Sequence, residues 1–288
     1  MNIFVLAVCA VIAAMLHNDV HVNKMCTEST QLLYMVLRLW GVKLPLARKL
    51  GVVDAPLGQR KHICTLWAAA CRPHFEWLLA LGLALAERYA EIFGREHACA
   101  KHLKCIKLHF FLAGHPAHVA QRAITPAEFL NQLDADPTLS DDLVKRVSAR
   151  IATENPPAGC LFAVLAIGVD KFPNVLTVDD ILVSSDTAPM DGLDGLDGLD
   201  GLEGFDAVAT YRLYYATKLA FASRTNDLRY DRELSNIPPV FPPIMRAVHR
   251  AAIAGGYDAT AVETKRAPKP RKRKREPQPV DRASKILR

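Results

Sequence analysis

Residues 17–40 have the sequence HNDVHVNKMCTESTQLLYMVLRLW, and this stretch decides the fold class. Its mostly apolar positions recur at helical spacing, in the series Val22, Met25, Cys26, Ser29, Leu32, Leu33, Val36 and Trp40. A polar series recurs at the same spacing and comprises His17, His21, Lys24, Glu28 and Gln31. At about 100° per residue the two stripes are centred roughly 120° apart. The stretch therefore predicts one helix with an apolar face for the core and an unusual polar face.

The rest of the chain favours the same fold class. With 288 residues and a hydrophobic fraction of 50%, the chain is long enough to bury a substantial core. Pro73 in a first turn and Gly94 at an end delimit another helix, and Thr125, Pro126 and Glu128 form a helix-capping sequence. We predict a mainly α protein, with a single helical domain at residues 1–264 and a few short strands, the candidates being 2–6, 161–169 and 175–183.

Two segments are predicted to lie outside the packed core. Residues 188–205 contain four DGL repeats, which have too little hydrophobic content to form a core and indicate a flexible insertion. Residues 265–288 carry eleven Lys or Arg and two acidic residues, so this tail has a charge of +9. Because the whole chain carries +6, residues 1–264 together carry −3. The composition predicts a disordered basic tail on a mildly acidic domain.

The tail gives the clearest local indication of a partner. Residues 265–275 hold eight positive charges, five of them consecutive: Arg271, Lys272, Arg273, Lys274 and Arg275. Such a run is typical of a nuclear import signal or of a non-specific contact with phosphates. The alternative is a solubilising tail that has no partner.

The cysteines and the N-terminus bear on the compartment. Seven cysteines without a regular spacing favour buried thiols in a reducing compartment over a secreted disulfide framework. Residues 3–16 are continuously apolar but too short to span a bilayer, and no Lys or Arg precedes them. We interpret them as a buried first strand followed by a helical turn, with a targeting segment as the alternative. No membrane partner is expected.

Three groups on the polar face of the first long helix are the candidate catalytic residues. His21 titrates near neutrality, and Lys24 and Glu28 lie one turn apart, where each tunes the protonation of the other. The alternative is an ordinary i,i+4 ion pair beside a core histidine.

Further polar residues are candidate substrate contacts. Arg72 and Glu76 lie one turn apart at a helix start, where an arginine and the helix N-terminus suit a phosphate, although a structural ion pair is equally compatible. Tyr211 and Tyr215 share a helical face, beside Arg212, in a pattern suited to stacking on bases or to a half-buried core. Gln31 and His62 complete the candidate set.

Metal and nucleotide motifs are weak or missing in the sequence. His97, Cys99, His102 and Cys105 are residue types that ligate zinc, but their spacing on a helix does not bring all four to one face. No Walker A, GxGxxG, HExxH or GxSxG motif occurs. We therefore predict no metal site, and the sequence indicates no particular cofactor.

Short motifs occur in the order NIFVL at 2–6, DxHxxKMxxExxQLL at 19–33, HxCTLW at 62–67, RxxFEWLL at 72–79 and YRxYY at 211–215. In this order they resemble a family found in tailed phages and large DNA viruses, over residues 1–102 and 206–222. Some members of that family are labelled pyrimidine-dimer DNA glycosylases. The matching positions are Asp19, His21, Lys24, Glu28, Gln31, His62, Thr65, Trp67, Arg72, Glu76, Trp77, Tyr211, Arg212 and Tyr215.

The chain also departs from the family pattern. Relatives have acidic or polar residues and a proline where this chain has Ala7, Cys9 and Ala10, and a lysine in place of Val20. If the missing carboxylates are catalytic in the family, this chain has lost part of that activity.

The resemblance and the basic tail together predict a DNA-associated viral protein. One version is an enzyme of base modification or repair, glycosylase- or lyase-like, in which Lys24 is the amine nucleophile and Glu28 its acid–base partner. The other is a non-catalytic nucleic-acid-binding or nuclear accessory protein whose polar stripe is structural. The expected partners are DNA and a host nuclear import receptor. The expected location is the host nucleus or a viral replication compartment, with the cytoplasm as the alternative.

Overall fold

A computed structural model describes residues 3–44 and 62–154, together with Val208, Tyr211, Arg212, Tyr215 and Phe241. The main described ranges contain seven helices, and the five separate residues are helical as well. The prediction of a mainly α fold is confirmed. The helices are α1 (Ala10–Met15), α2 (Asp19–Leu39), α3 (Ile63–Ala70), α4 (Arg72–Phe93), α5 (Ala100–Ala113), α6 (Pro126–Asp134) and α7 (Asp141–Glu154).

The first long helix forms as its two-stripe pattern predicts. The side chain of Asn18 caps α2 by accepting a hydrogen bond from the His21 backbone N–H at 2.9 Å. The helix ends before Trp40, and Gly41 follows with a φ of 67°, a left-handed conformation that a glycine adopts without strain. The apolar stripe is buried, and the six consecutive residues from Leu32 to Leu37 are buried as well. The C-terminal half of α2 therefore lies inside the domain.

Helix α4 runs antiparallel to α2. The ring of Trp40, at the end of α2, lies 4.8 Å from the ring of Phe75, near the start of α4. Further back along α2, the Sγ of Cys26 lies 3.8 Å from the carbonyl oxygen of Gly82. A Cβ added to Gly82 would approach the side chain of Leu103 on α5 to 3.0 Å, so a larger residue here would require that leucine to shift.

The predicted first strand is wrong. Ile3 to Leu6 are buried, but within the described residues they pair with no neighbouring strand, and the only backbone bridge there joins Cys71 to Ala120. Side-chain donors bind the backbone of this N-terminal segment instead. The Nε of Arg212 donates to the Leu6 carbonyl at 2.7 Å, and the indole N–H of Trp77 donates to the Val8 carbonyl at 2.7 Å. The Arg212 contact satisfies the buried Leu6 carbonyl, which a neighbouring strand would otherwise have to satisfy.

Most predicted helix boundaries are confirmed. Pro73 lies in the first turn of α4, and the helix ends at Gly94 with a φ of 65°. Thr125 and Glu128 form the expected capping box at the start of α6. Helix α5 begins at Ala100, with Cys99 as its N-cap residue. Among residues 3–44 and 62–154, no helix is both long enough and apolar enough to cross a membrane.

Several predicted segments lie outside the described residues. They are the candidate strands at 161–169 and 175–183, the DGL insertion at 188–205 and the basic tail at 265–288, which includes Arg271 to Arg275. These parts of the domain organisation remain predictions from the sequence.

Candidate functional site

A hydrogen-bonded cluster joins the start of α2 to Tyr215. The phenol oxygen of Tyr215 accepts hydrogen bonds from the Asn18 backbone N–H at 2.9 Å and from the Asn18 side-chain amide at 2.8 Å. The Nδ1 of His21 lies 2.9 Å from the same oxygen. Because two N–H donors already occupy that oxygen, its own proton is best directed at His21, whose Nδ1 then accepts.

Aromatic rings enclose this cluster. The imidazole of His21 stacks on Phe4 at 5.3 Å, and the phenol of Tyr215 packs edge-on against Phe4 at 5.1 Å. Phe241 packs against the other side of Tyr215 at 5.5 Å. Both Tyr215 and Phe241 are fully buried. Two predicted site residues, His21 and Tyr215, therefore do meet, in a tightly packed environment.

His17 belongs to the same environment and is uncharged at neutral pH. Its imidazole is 2% exposed, and Nδ1 donates to the Ala13 carbonyl at 2.6 Å. Burial lowers the pKa of His17 to about 4, against a smaller opposing effect of that hydrogen bond. Its Nε2 has no hydrogen-bond partner among the described residues. The polar stripe of α2 thus begins with a histidine that is buried as a neutral group.

Lys24 and Glu28 form the predicted pair, but in an open setting. The ammonium of Lys24 lies 3.7 Å from the Glu28 carboxylate, and the Lys24 side chain is 58% exposed. Glu28 is 16% exposed and close enough to His62 to oppose the lowering of the pKa that burial causes at that histidine. His62 caps α3 by accepting from the Cys64 N–H at 3.2 Å. Gln31 is partly buried one turn further along α2.

Arg72 and Glu76 line a separate cleft of about 470 Å³. The Nε of Arg72 donates to Glu76 at 2.8 Å, and both side chains are nearly half exposed. The same carboxylate lies 3.3 Å from the Nε2 of His115. Burial lowers the pKa of this histidine. The remaining lining comes mainly from α4 and α5: Leu79, Ala80, Leu83, Lys107, Phe110, Phe111 and Gly114.

This cleft and the His21 cluster lie at opposite ends of α2. The ring of His115 lies 5.9 Å from Trp40, which ends the helix. Trp40 is 19 residues beyond His21, or about 28 Å at the usual helical rise. The structure therefore does not bring Arg72 and Glu76 together with His21 and Lys24. Spacing along the sequence places residues on a helix face, but it does not say which ends of two helices meet.

Tyr211 and Arg212 are buried rather than exposed to a ligand. Tyr211 is 3% exposed and Arg212 is 8% exposed. As Arg212 binds the Leu6 carbonyl through its Nε, its place in the structure is against the N-terminal segment. For Arg212 to make the predicted contact, a phosphate would have to enter the protein interior, because the guanidinium is buried there.

The four candidate zinc ligands do not converge. Cys105 is buried in the core, and the Nδ1 of His102 lies 3.1 Å from the phenol of Tyr34. Only His97 and Cys99 remain close to one another, and they are joined by Cys26 of α2. In the described part of the chain, no group of three or more potential ligands has metal-site geometry.

The sequence predictions missed three features. Asn18 is a partner of Tyr215, and its position just before the helix was a signal for a cap. Cys26 is not only a core residue, because it contacts His97. Phe111 and Leu112 are 83% and 67% exposed on α5, and consecutive apolar residues beside Lys107 were a signal for a binding surface.

Comparisons with protein-family models, with curated proteins and with solved structures found no match. The resemblance to a phage and DNA-virus family therefore stays a prediction from the short motifs.

Proposed function

We propose that the protein is a DNA-associated viral protein that binds nucleic acid through the exposed face of α5. The observation that carries this proposal is the position of Phe111, which is 83% exposed and lines one cleft with Lys107 and Arg72. An exposed aromatic ring in one cleft with two cations suits a base that stacks on the ring and phosphates that contact the charges.

Other residues on α5 extend the same surface. Lys101, Lys104 and Lys107 are exposed at three-residue intervals and follow one side of the helix. Leu108 and Leu112 are exposed beside them, so the face combines apolar surface with positive charge. A contiguous exposed apolar patch bordered by charges is typical of a binding surface. Single-stranded DNA, whose bases are accessible for stacking, fits this surface better than a closed duplex does.

The basic tail supplies the second contact in this proposal. Its run from Arg271 to Arg275 adds a sequence-independent attraction for phosphates, and counterion release makes that attraction depend strongly on salt. The same run has the composition of a nuclear import signal, so we propose a host import receptor as a further partner and the host nucleus as the location.

Replacement of Phe111 by alanine should weaken binding to single-stranded DNA by about 5- to 100-fold, the range for the loss of one stacked base. Lys107→Ala should reduce affinity less and lower the salt slope by about one phosphate contact. Fluorescence anisotropy with a labelled oligonucleotide, titrated at several salt concentrations, measures both effects. Lys145→Ala on α7 is the matched control, since it removes an equally exposed lysine from a different helix.

Unchanged affinity for Phe111→Ala, with the variant folded like the parent by circular dichroism, would exclude the α5 face. Deletion of residues 265–288 separates the two contacts, because it should lower the salt slope and leave the effect of Phe111→Ala intact. The same deletion should abolish nuclear accumulation in transfected cells. A truncated protein that still accumulates in the nucleus contradicts the import signal.

A base-modifying enzyme, glycosylase- or lyase-like, is the second candidate function. The observation that favours it is the position of Glu28, which is mostly buried, lies 3.7 Å from the Lys24 ammonium and is close enough to His62 to affect its pKa. A carboxylate held beside an amine suits the formation and breakdown of an imine with an abasic sugar. The open position of the Lys24 ammonium leaves room for a DNA strand to approach.

Borohydride reduction in the presence of abasic DNA tests this chemistry. If Lys24 forms an imine, the parent protein should become covalently linked to the DNA, and Lys24→Ala should lose at least about 10-fold of the linked product, as expected for the loss of a nucleophile. Lys145→Ala on α7, which removes an exposed lysine away from the α5 surface, should trap like the parent. Equal trapping by Lys24→Ala and the parent excludes Lys24, and no trapping by the parent excludes the lyase reaction.

A further inference from the structure

Two cysteines and a histidine meet where α2 passes the start of α5. The Sγ of Cys26 lies 3.3 Å from the Nδ1 of His97. The backbone N–H of Cys99 donates to that same nitrogen at 3.0 Å. The Cys26 sulfur and the Cys99 backbone therefore both contact one nitrogen of His97. Cys26 and Cys99 are thus neighbours in space although α4 separates them in sequence.

The histidine in this cluster is held in one orientation. Because the Cys99 N–H donates to Nδ1, this nitrogen must act as an acceptor. The other ring nitrogen, Nε2, lies 3.1 Å from the amide oxygen of Asn23 and donates to it. The imidazole is therefore neutral in this arrangement, with its proton on Nε2. The Nδ1 lone pair thus accepts from the Cys99 N–H, and the Cys26 sulfur lies 3.3 Å from the same nitrogen.

The surroundings of the two sulfurs differ. Cys99 is the N-cap residue of α5, where the backbone N–H groups and the helix dipole favour a negative charge. Cys26 is the largest influence on Cys99, and it outweighs the opposing effect of burial, so that the pKa of Cys99 is lowered to about 5. The same contact and burial raise the pKa of Cys26.

The two cysteines also differ in their exposure to solvent. Cys99 is partly exposed, whereas Cys26 is fully buried. An oxidant from solvent therefore reaches Cys99 first and meets a thiolate. Cys26 stands behind it as a protonated thiol. A partly exposed cysteine with a lowered pKa, and a second cysteine at the same histidine, is an arrangement suited to a redox-active cysteine pair.

We propose that Cys99 and Cys26 form a thiol redox site, in which Cys99 reduces a hydroperoxide and Cys26 then closes a disulfide. In the first step the Cys99 sulfur attacks one peroxide oxygen, and the O–O bond breaks. Cys99 becomes a sulfenic acid, and the leaving hydroxide or alkoxide takes a proton from solvent. In the second step Cys26 attacks the Cys99 sulfur, the S–S bond forms, and hydroxide leaves with the Cys26 proton as water. One peroxide is reduced for each disulfide formed.

Disulfide formation has a consequence for stability. Cys26 belongs to α2, and Cys99 is the N-cap residue of α5. The disulfide would join α2 directly to the start of α5, so the oxidised protein should also resist unfolding more than the reduced one.

Treatment of the full-length protein with one equivalent of hydrogen peroxide tests the proposal. The Cys9→Ser, Cys160→Ser protein provides a background without the exposed Cys9 and without a cysteine outside the described residues. After alkylation and non-reducing digestion, mass spectrometry should find a peptide pair linked through Cys26 and Cys99, which dithiothreitol separates. In Cys26→Ser, dimedone should instead trap a sulfenic acid on Cys99.

Alkylation rates give a second measurement that does not require oxidation. Iodoacetamide should modify Cys99 with a rate that rises through about pH 5 and is level by neutrality, following the lowered pKa. In the parent protein the exposed Cys9 is the internal comparison. A Cys99 that reacts no faster than Cys9 at pH 6, together with no linked peptide after peroxide, overturns the proposal. Neither measurement depends on DNA binding, so the redox site is tested independently of the proposed function.

Discussion

Acidification from pH 7 to pH 4 is expected to lower the free energy of unfolding by roughly 6 kcal/mol, through two buried histidines. Burial lowers the pKa of both His17 and His74 to about 4 from an ordinary value of 6.5. Each neutral imidazole donates through Nδ1 to a backbone carbonyl, of Ala13 at 2.6 Å and of Trp67 at 2.8 Å. The Nε2 of each ring has no partner in the described part of the chain, so an added proton there would have no acceptor.

The direction of this effect follows from where the protons bind. The unfolded chain takes up a proton on each histidine near pH 6.5, whereas the folded chain does so only near pH 4. The stabilisation by the neutral histidines is therefore fully present above pH 6.5 and is lost as the pH falls towards 4. About 3 kcal/mol for each histidine is a large part of the 5–15 kcal/mol that is usual for a domain, so the protein should be close to unfolding at pH 4.

Denaturant unfolding followed by circular dichroism at pH 7.5, 6, 5 and 4 measures this loss. The midpoint should fall most steeply between pH 6 and pH 4. His118→Gln is the control, because His118 is exposed and its replacement should leave the pH profile unchanged. A free energy of unfolding that stays level from pH 7 to pH 4.5 would show that these histidines are not buried as neutral groups.

The parts of the fold that the sequence predicted are local. The start of α6 depends on Thr125 and Glu128, three residues apart, and the end of α4 depends on the conformation of Gly94 alone. The apolar stripe of α2 was predictable because burial of a helix follows its 3.6-residue period. In contrast, the apolar run at residues 3–6 fits a buried strand and a buried extended segment equally well. Only the tertiary donors, Trp77 and Arg212, distinguish these two structures.

The site was less predictable because its contacts are distant in sequence. Asn18 and Tyr215 are 197 residues apart, and Cys26 and His97 are 71 residues apart. The motifs show that His21 and Tyr215 belong to one sequence pattern. They do not show that the Tyr215 hydroxyl contacts the His21 imidazole. The same limit applies to Arg72, which the pattern grouped with the start of α2 and which packs near its end. Pairings of this kind depend on how α2, α4 and α5 pack around Gly82.

Replacement of Tyr215 by phenylalanine is expected to lower the free energy of unfolding by about 3 kcal/mol, because the variant keeps the ring and loses the hydroxyl. That oxygen accepts from two N–H groups of Asn18 and lies 2.9 Å from His21. Without it, two buried donors at the start of α2 lose their acceptor, and each costs about 1–3 kcal/mol when no water replaces it. Urea unfolding of the parent and the variant measures the difference.

Tyr34→Phe is the matched control for this prediction, since it also removes one phenol oxygen from a buried tyrosine that contacts a histidine. The Tyr34 hydroxyl lies 3.1 Å from the Nδ1 of His102, and His102 is only partly buried. Its loss should cost about 1 kcal/mol, as for an ordinary hydrogen bond. If Tyr215→Phe is no more destabilising than Tyr34→Phe, the hydroxyl of Tyr215 does not hold the start of α2. A larger loss for Tyr215→Phe would instead show that the contacts of Asn18 and His21 with the Tyr215 hydroxyl stabilise the fold. That result would favour a structural role for the start of the polar stripe of α2.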